Sequence, residues 1–83
     1  MVNNGSNSNR RESTERHTYR VVIPPLYKYS RFSGTHETTA GTPAEAVSQI
    51  AFRIYENEPR RAKKALAHLK RSYNFKDLTK RID

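Results

Sequence analysis

GTPAEAVSQIAFRIYENEP, residues 41–59, carries the clearest structural signal of the chain and decides where its first helix begins. Thr42 suits an N-cap, Pro43 suits the first helical position, and Glu45 completes a capping box with Thr42. The apolar residues that follow recur at helical spacing and form one stripe: Val47, Ile50, Ala51 and Ile54. We therefore predict an amphipathic helix over about 43–56.

The next stretch, EPRRAKKALAHLKRSYNF at 58–75, predicts a second helix over about 59–73. Its apolar side chains share a narrow arc: Ala62, Leu66, Leu69 and Tyr73. Its cations form an outward ridge and the flanks of that ridge: Arg60, Arg61, Lys63, Lys64, Lys70 and Arg71. We expect the apolar arc to pack on the first helix and the strands. The last segment repeats the apolar spacing weakly and predicts either a further short helix over about 76–82 or a frayed end.

Ahead of the helices, the pattern changes to a period of two. HTYRVVI at 17–23 alternates β-branched and aromatic residues with others and predicts a strand. Pro24 and Pro25 end this strand because proline cannot donate a hydrogen bond to a ladder. LYKYSRF alternates in the same way and predicts a strand over about 26–32, and a third, short strand is expected over about 36–40.

These elements predict one small α+β domain over 17–83, with a two- or three-stranded antiparallel sheet followed by two amphipathic helices. Residues 1–16 contain no apolar side chain after Val2, so they cannot bury enough surface to offset the entropy of ordering. We expect a disordered arm there. Its three arginines, Arg10, Arg11 and Arg16, are opposed by two glutamates.

The composition narrows the cellular setting. The 83 residues include no Cys, which excludes a disulfide framework and a thiolate metal site. Small secreted domains usually need such cross-links, and the chain shows neither the apolar centre of a signal peptide nor an apolar run of membrane-spanning length. We expect no membrane span and an intracellular setting: the cytoplasm, a nucleoid or a nucleus.

The positive charge is concentrated at one end of the chain. The formal net charge is +8, and the last 24 residues hold nine Lys or Arg against Asp77 and Asp83. Residues 59–76 contain no acid, whereas a merely solvated face normally mixes both signs. Like charges four residues apart, as in Arg60 and Lys64, cost helix stability and favour a polyanionic partner. The apolar arc is too narrow for membrane docking, so we expect nucleic acid, DNA favoured over RNA.

The predicted contacts to backbone phosphates lie on the second helix, near the C-terminus and on a second edge: Arg60, Arg61, Lys63, Lys64, Lys70, Arg71, Lys76, Lys80, Arg81, Lys28 and Arg31. Tyr27, Tyr29 and Phe52 are candidate stacking or partner anchors. A place in the core is favoured over stacking for Tyr27, Tyr29 and Phe32. Alternation along a strand leaves either the Tyr27 and Tyr29 pair or Phe32 free.

Catalysis has little support in the sequence. His17, His36 and His68 are scattered, and no pair stands at a metal-ligand spacing. We predict no enzyme activity, no catalytic residue, no metal site and no cofactor. Two other functions stay open. A small adaptor or inhibitor would dock the basic ridge on an acidic protein with Phe52 or Tyr55 as anchor, and a structural subunit of a chromatin, viral or phage nucleoprotein particle would use the same phosphate contacts.

Two short runs resemble known families. GTPAEAVSQIA resembles the segment after the first hairpin of the small chromosomal protein of methanogenic archaea and its viral relatives, with Pro43, Ala46, Ile50 and Ala51 on the small-residue helix face. That family bends DNA, but it continues with strands where this chain predicts a second helix. RRAKKALAHL resembles the final helix of a double-stranded RNA-binding domain, whose order of elements also differs. Neither resemblance assigns a family or transfers a contact.

Overall fold

The computed structural model describes residues 15–83, which form five regular elements and one 3₁₀ helix. In chain order they are β1 (His17–Ile23), β2 (Gly34–Ala40), α1 (Pro43–Ile54), α2 (Pro59–Ser72), the 3₁₀ helix (Phe75–Leu78) and β3 (Thr79–Arg81). The predicted α+β class, with an antiparallel sheet and two helices, is confirmed. The strands predicted over 17–23 and 36–40 correspond to β1 and β2, whereas β3 lies after the helices, where no strand was predicted.

β1 is the central strand, because β2 pairs with one of its edges and β3 with the other. Alternation along β1 divides its side chains, so that Tyr19, Val21 and Ile23 are buried while Arg20 and Val22 are exposed. The buried face lies under α1, which contacts all three strands. α2 packs on α1. The basic helix α2 therefore lies on the same side of the sheet as α1.

The start of α1 follows the predicted capping chemistry. Glu45 N donates to Thr42 Oγ1 over 3.1 Å, and Glu45 Oε1 accepts from Gly41 N over 3.0 Å. The reciprocal bond thus goes to the residue before the N-cap, one position away from the standard capping box. α1 ends at Ile54, where Tyr55 N still donates to Ala51 O.

The core joins both helices to the sheet, as the apolar stripes predicted. Its members from the helices and from β1 include Val47, Ile50, Leu69, Tyr19, Val21 and Ile23. Ile54 and Leu66 are only partly buried against this cluster. α2 contributes the small side chains of Ala62 and Ala65, both fully buried, so its contact surface is narrow. Much of the circumference of α2 is left in solvent.

The strand predicted over 26–32 is wrong, because this segment satisfies its own backbone in turns. Tyr29 N donates to Leu26 O over 3.1 Å, and Phe32 N donates to Tyr29 O over 2.9 Å. Both edges of β1 are also occupied by other strands, so this segment cannot pair with β1. The segment is instead the β1–β2 loop, and β2 begins at Gly34, with φ +114°, a backbone angle that favours glycine.

The short helix predicted over 76–82 is also wrong. The chain makes only one 3₁₀ turn at Phe75–Leu78, which starts where Asn74 Oδ1 accepts from Lys76 N over 3.0 Å. It then extends as β3 and pairs with β1 in the register Arg20 to Lys80. Pairing with the second edge of β1 satisfies backbone groups of both strands.

Two further predictions, for Tyr73 and for the N-terminal arm, can be compared with the described residues. Tyr73 was expected in the buried arc of the second helix, but α2 ends at Ser72 and Tyr73 is 42% exposed in extended backbone. The arm predicted over 1–16 lies outside the described residues except at its end. There Arg16 donates to Thr39 O over 2.7 Å, so its side chain is attached to β2.

Candidate nucleic-acid interface

The solvent face of α2 carries all six cations that the sequence assigns to it. Each of the six is exposed: Arg60, Arg61, Lys63, Lys64, Lys70 and Arg71. Ala62, Ala65 and Leu69 are buried at intervals of three and four residues, which turns the intervening residues outward. No acid stands among residues 59–76 to neutralise this face from within the helix.

The β1–β2 loop is held in one conformation beside α2. Leu26 and Phe32 are buried to 7% and 0% exposure and anchor its two ends. Leu26 N also donates to Ser33 Oγ over 3.1 Å, which closes the loop on itself. Tyr27 and Lys28 occupy the tip, as the two central residues of the turn closed by the Tyr29 N to Leu26 O bond.

An aromatic cluster attaches this loop to both helices. The Tyr29 ring lies 6.4 Å from the Tyr55 ring of the α1 C-terminus, edge to face, and 5.8 Å from the His68 ring of α2. Such pairs add to the stabilisation given by area burial. Tyr55 itself is only 2% exposed, and burial raises the pKa of its phenol. The loop tip is therefore positioned against α2 by packed rings.

Loop and helix together enclose a shallow cleft, here called the Tyr27 cleft. Its lining residues are Tyr27, Lys28, Tyr29, Lys64, Ala67, His68 and Arg71. The helical members stand at intervals of three, four and seven residues, so they share one face of α2. Tyr27 is 95% exposed, and none of the lining residues is a carboxylate. Cations thus face each other from two separate segments.

Two further clefts continue the Tyr27 cleft along α2. At the N-terminal end, Lys28 and Lys64 also line a cleft with Arg60 and Arg61. At the C-terminal end, Arg71 also lines a cleft with Lys70, Lys76 and the exposed Tyr73, beside the first residues of α1. Neighbouring clefts share lining residues, and we call the three together the α2 strip. Glu58, which lines the N-terminal cleft, is the only carboxylate among their lining residues. The α2 strip collects most of the predicted contacts, including Lys28 and Lys76.

Two predicted contacts in this region already have intramolecular partners. Arg31 donates to Ile54 O over 2.8 Å, and its guanidinium carbon lies 5.2 Å from the centre of the Tyr55 ring. Arg61 Nε donates to Glu58 Oε1 over 2.8 Å, a bond that raises the pKa of Arg61 above its ordinary value. Glu58 also lies 3.6 Å from Arg31. Arg31 therefore connects the loop to the end of α1 and the start of α2, and Arg61 is paired within the start of α2.

Other predicted residues lie away from the α2 strip. Lys80 sits opposite Arg20 on the sheet, and Arg81 Nε donates to Asp83 Oδ1 over 3.0 Å, both on β3. Phe52 is 38% exposed on α1 and is not among the residues that line the three clefts. The alternation argument for Tyr27, Tyr29 and Phe32 does not apply to a loop, since these rings occupy exposed, half-buried and buried positions.

Sequence reasoning missed His68 as a member of the cleft. In the sequence, His68 is a candidate only for a metal or catalytic role, and no other histidine stands at a metal-ligand spacing from it. Its spacing of four residues from Lys64 places both on one face of α2, and that spacing was a usable signal. The small side chain of Ala67 between them leaves room for the cleft.

The described residues contain neither a metal-binding cluster nor a membrane-spanning helix. Within residues 15–83, no group of three or more His, Asp or Glu is arranged to hold a metal ion. In the same part of the chain, every helix is too short or too polar to cross a bilayer. No protein-family model, curated protein or solved structure matches the sequence or the fold.

Proposed function

We propose that the protein binds nucleic acid through backbone phosphates along the α2 strip, and that it acts as a binding protein without catalysis. The Tyr27 cleft is the observation that carries the proposal. Lys28 on the loop faces Lys64 and Arg71 on the helix, with no carboxylate among the lining residues. Bringing cations of separate segments together raises the electrostatic free energy of the protein, and a bound polyanion removes this repulsion.

The physical basis is counterion release. Each phosphate that a Lys or Arg neutralises releases condensed cations from the polymer, so the affinity falls steeply with salt. Phosphate contacts position a protein without reading sequence, and the α2 strip supplies a path of such contacts. DNA is favoured over RNA as the polymer, and a binding measurement with both compares them directly.

Fluorescence anisotropy with labelled duplex DNA, duplex RNA and single strands, titrated over salt, tests the proposal. The test variant changes Lys63, Lys64, Lys70 and Arg71 together to Gln. The matched control changes Lys63, Lys64 and Lys70 to Arg, which keeps every charge at the same positions. Phosphate binding requires charge more than a particular cation, so the control should retain affinity.

We expect a steep salt dependence for the wild type and the Arg control, and a shallow one for the Gln variant. Circular dichroism of both variants confirms that α2 is still folded. No binding of the wild type to any polymer at low salt would refute the proposal. Affinity lost equally in the Gln and Arg variants would mean that binding requires the individual lysine side chains and not only their charge, as in a specific protein interface.

The alternative of an acidic protein partner has less support. It relied on an exposed aromatic anchor at Phe52 or Tyr55, and Tyr55 is buried. Phe52 is 38% exposed and lies on α1, away from the lining residues of the three clefts. An anchor is expected at the centre of an interface, surrounded by its charged rim. Phe52 and Tyr55 therefore do not provide an anchor on the α2 strip, and an acidic protein would have to dock on Tyr27, the exposed candidate anchor that lines it.

A further inference from the structure

The Tyr27 ring is almost fully exposed on a turn whose backbone is hydrogen-bonded, and the proposed phosphate binding does not use it. It is 95% exposed, whereas its neighbours Leu26 and Tyr29 are buried and half-buried. The turn that carries it is closed by a backbone bond, and Pro24 and Pro25 restrict the chain just before it. A ring presented on an ordered turn loses little entropy when it binds a partner.

The surroundings of the ring are cationic. Lys28, Lys64 and Arg71 line the same cleft as Tyr27, with His68 between the two helical cations. Lys64 and Arg71 are seven residues apart, which corresponds to about 10 Å along the helix axis. They would therefore contact different phosphates, on either side of a base that lies against Tyr27.

An exposed aromatic ring within a basic groove is the arrangement that binds single strands. Base–aromatic stacking tolerates any sequence because every base has a flat face. In a duplex these faces are covered by neighbouring base pairs, so Tyr27 would contact only the groove or backbone there. We infer that the Tyr27 cleft is a subsite for an unpaired nucleotide, with the base stacked on Tyr27 and the flanking phosphates bound by Lys64 and Arg71. This inference rests on the proposed function.

The chain contains no Trp, so Tyr27→Trp introduces a unique fluorophore at the site. The probes are a single-stranded DNA oligonucleotide, the matching RNA, an abasic oligonucleotide of equal length and a duplex. The abasic probe keeps the phosphates and lacks the bases. We expect both base-containing single strands to quench the introduced indole. We expect the abasic probe and the duplex to bind with little quenching.

Affinity measurements use Tyr27→Ala, with Phe52→Ala as the control that removes an exposed ring outside the cleft. Tyr27→Ala should weaken single-strand binding by about 5- to 150-fold, the range that base–aromatic stacking spans. It should leave abasic binding unchanged, and Phe52→Ala should leave all of the affinities unchanged. Thermal unfolding checks that both variants fold.

The outcomes separate the two proposals. Tyr27→Ala that binds base-containing single strands as tightly as the wild type, or an indole that is not quenched, overturns the nucleotide subsite. Salt-dependent binding of the abasic probe would then still support the phosphate contacts of α2. No binding of any probe by the wild type overturns both.

Discussion

Lys64 and Lys80 offer a matched pair of substitutions that separates a defined surface from overall charge. Both lysines are exposed, and neither forms an ion pair among the described residues. Lys64 lines two of the three clefts, whereas Lys80 lies on β3 opposite Arg20. Lys64→Gln and Lys80→Gln change the net charge equally. Each should alter the free energy of unfolding by less than about 0.5 kcal/mol, as for ordinary surface positions.

The expected magnitude follows from one phosphate contact. Losing it lowers the slope of log affinity against log salt by about 0.7 for a single strand and about 0.9 for B-DNA. At about 0.1 M salt this is roughly a five- to eightfold loss of affinity, or about 1 kcal/mol. We expect Lys64→Gln to show this loss and Lys80→Gln to show none, by fluorescence anisotropy over a salt series. Equal losses would mean that net charge alone drives binding and would refute the assignment to the α2 strip.

Three further predictions concern the framework that positions the strip. Thr42→Ala removes the acceptor of Glu45 N and should lower stability by about 1 kcal/mol, a fall of about 4–8 °C in Tm by circular dichroism; an unchanged Tm would contradict the capping role. Arg31→Gln loses the bond to Ile54 O and the contact with Tyr55, so Tm should fall while the salt slope of binding stays as in the wild type; a reduced slope would make Arg31 a phosphate contact after all. Burial raises the pKa of Tyr55, so the folded state holds this proton more tightly than the unfolded chain. The resulting stability is complete below the ordinary tyrosine pKa of about 10 and is lost as pH rises through the higher folded value. Urea unfolding between about pH 8 and about pH 11 should therefore show a smaller alkaline loss for Tyr55→Phe than for the wild type, and equal losses would contradict this.

The helices could be predicted because their signals are local. Thr42, Pro43 and Glu45 define the start of α1 within four residues, and the apolar spacing continues from there. In α2 the same spacing separates buried Ala62 and Leu69 from the cations. Each of these signals depends on neighbours in sequence, so tertiary contacts did not alter the helices that the signals predict.

The loop and β3 could not be predicted, because their structures depend on distant partners. The alternation in 26–32 is short, and its rings are placed by Tyr55 and His68 of the two helices. β3 is only three residues long, TKR, and carries no apolar alternation. It forms because one edge of β1 is free to pair with it.

The candidate site could be predicted only in part, because one of its walls depends on local sequence and the other depends on tertiary packing. The cations of α2 follow from composition and helical spacing, and their exposure agrees with that prediction. The opposite wall of the Tyr27 cleft does not follow from local sequence. Tyr27 and Lys28 approach α2 only through the packing of Leu26, Tyr29 and Phe32. A strand there would have pointed Tyr27 and Tyr29 to the same side.

A ¹H–¹⁵N NMR titration of the wild type with a short oligonucleotide at low salt tests the central claim most directly. It reports on every backbone amide of the folded chain and needs no substitution. We predict that the shifted signals cluster at Tyr27–Tyr29 and along Lys64–Arg71, while Val22 and Lys80 on the sheet are unaffected. Shifts concentrated on the sheet, or none at a concentration where the polymer is in excess, would contradict binding by the α2 strip.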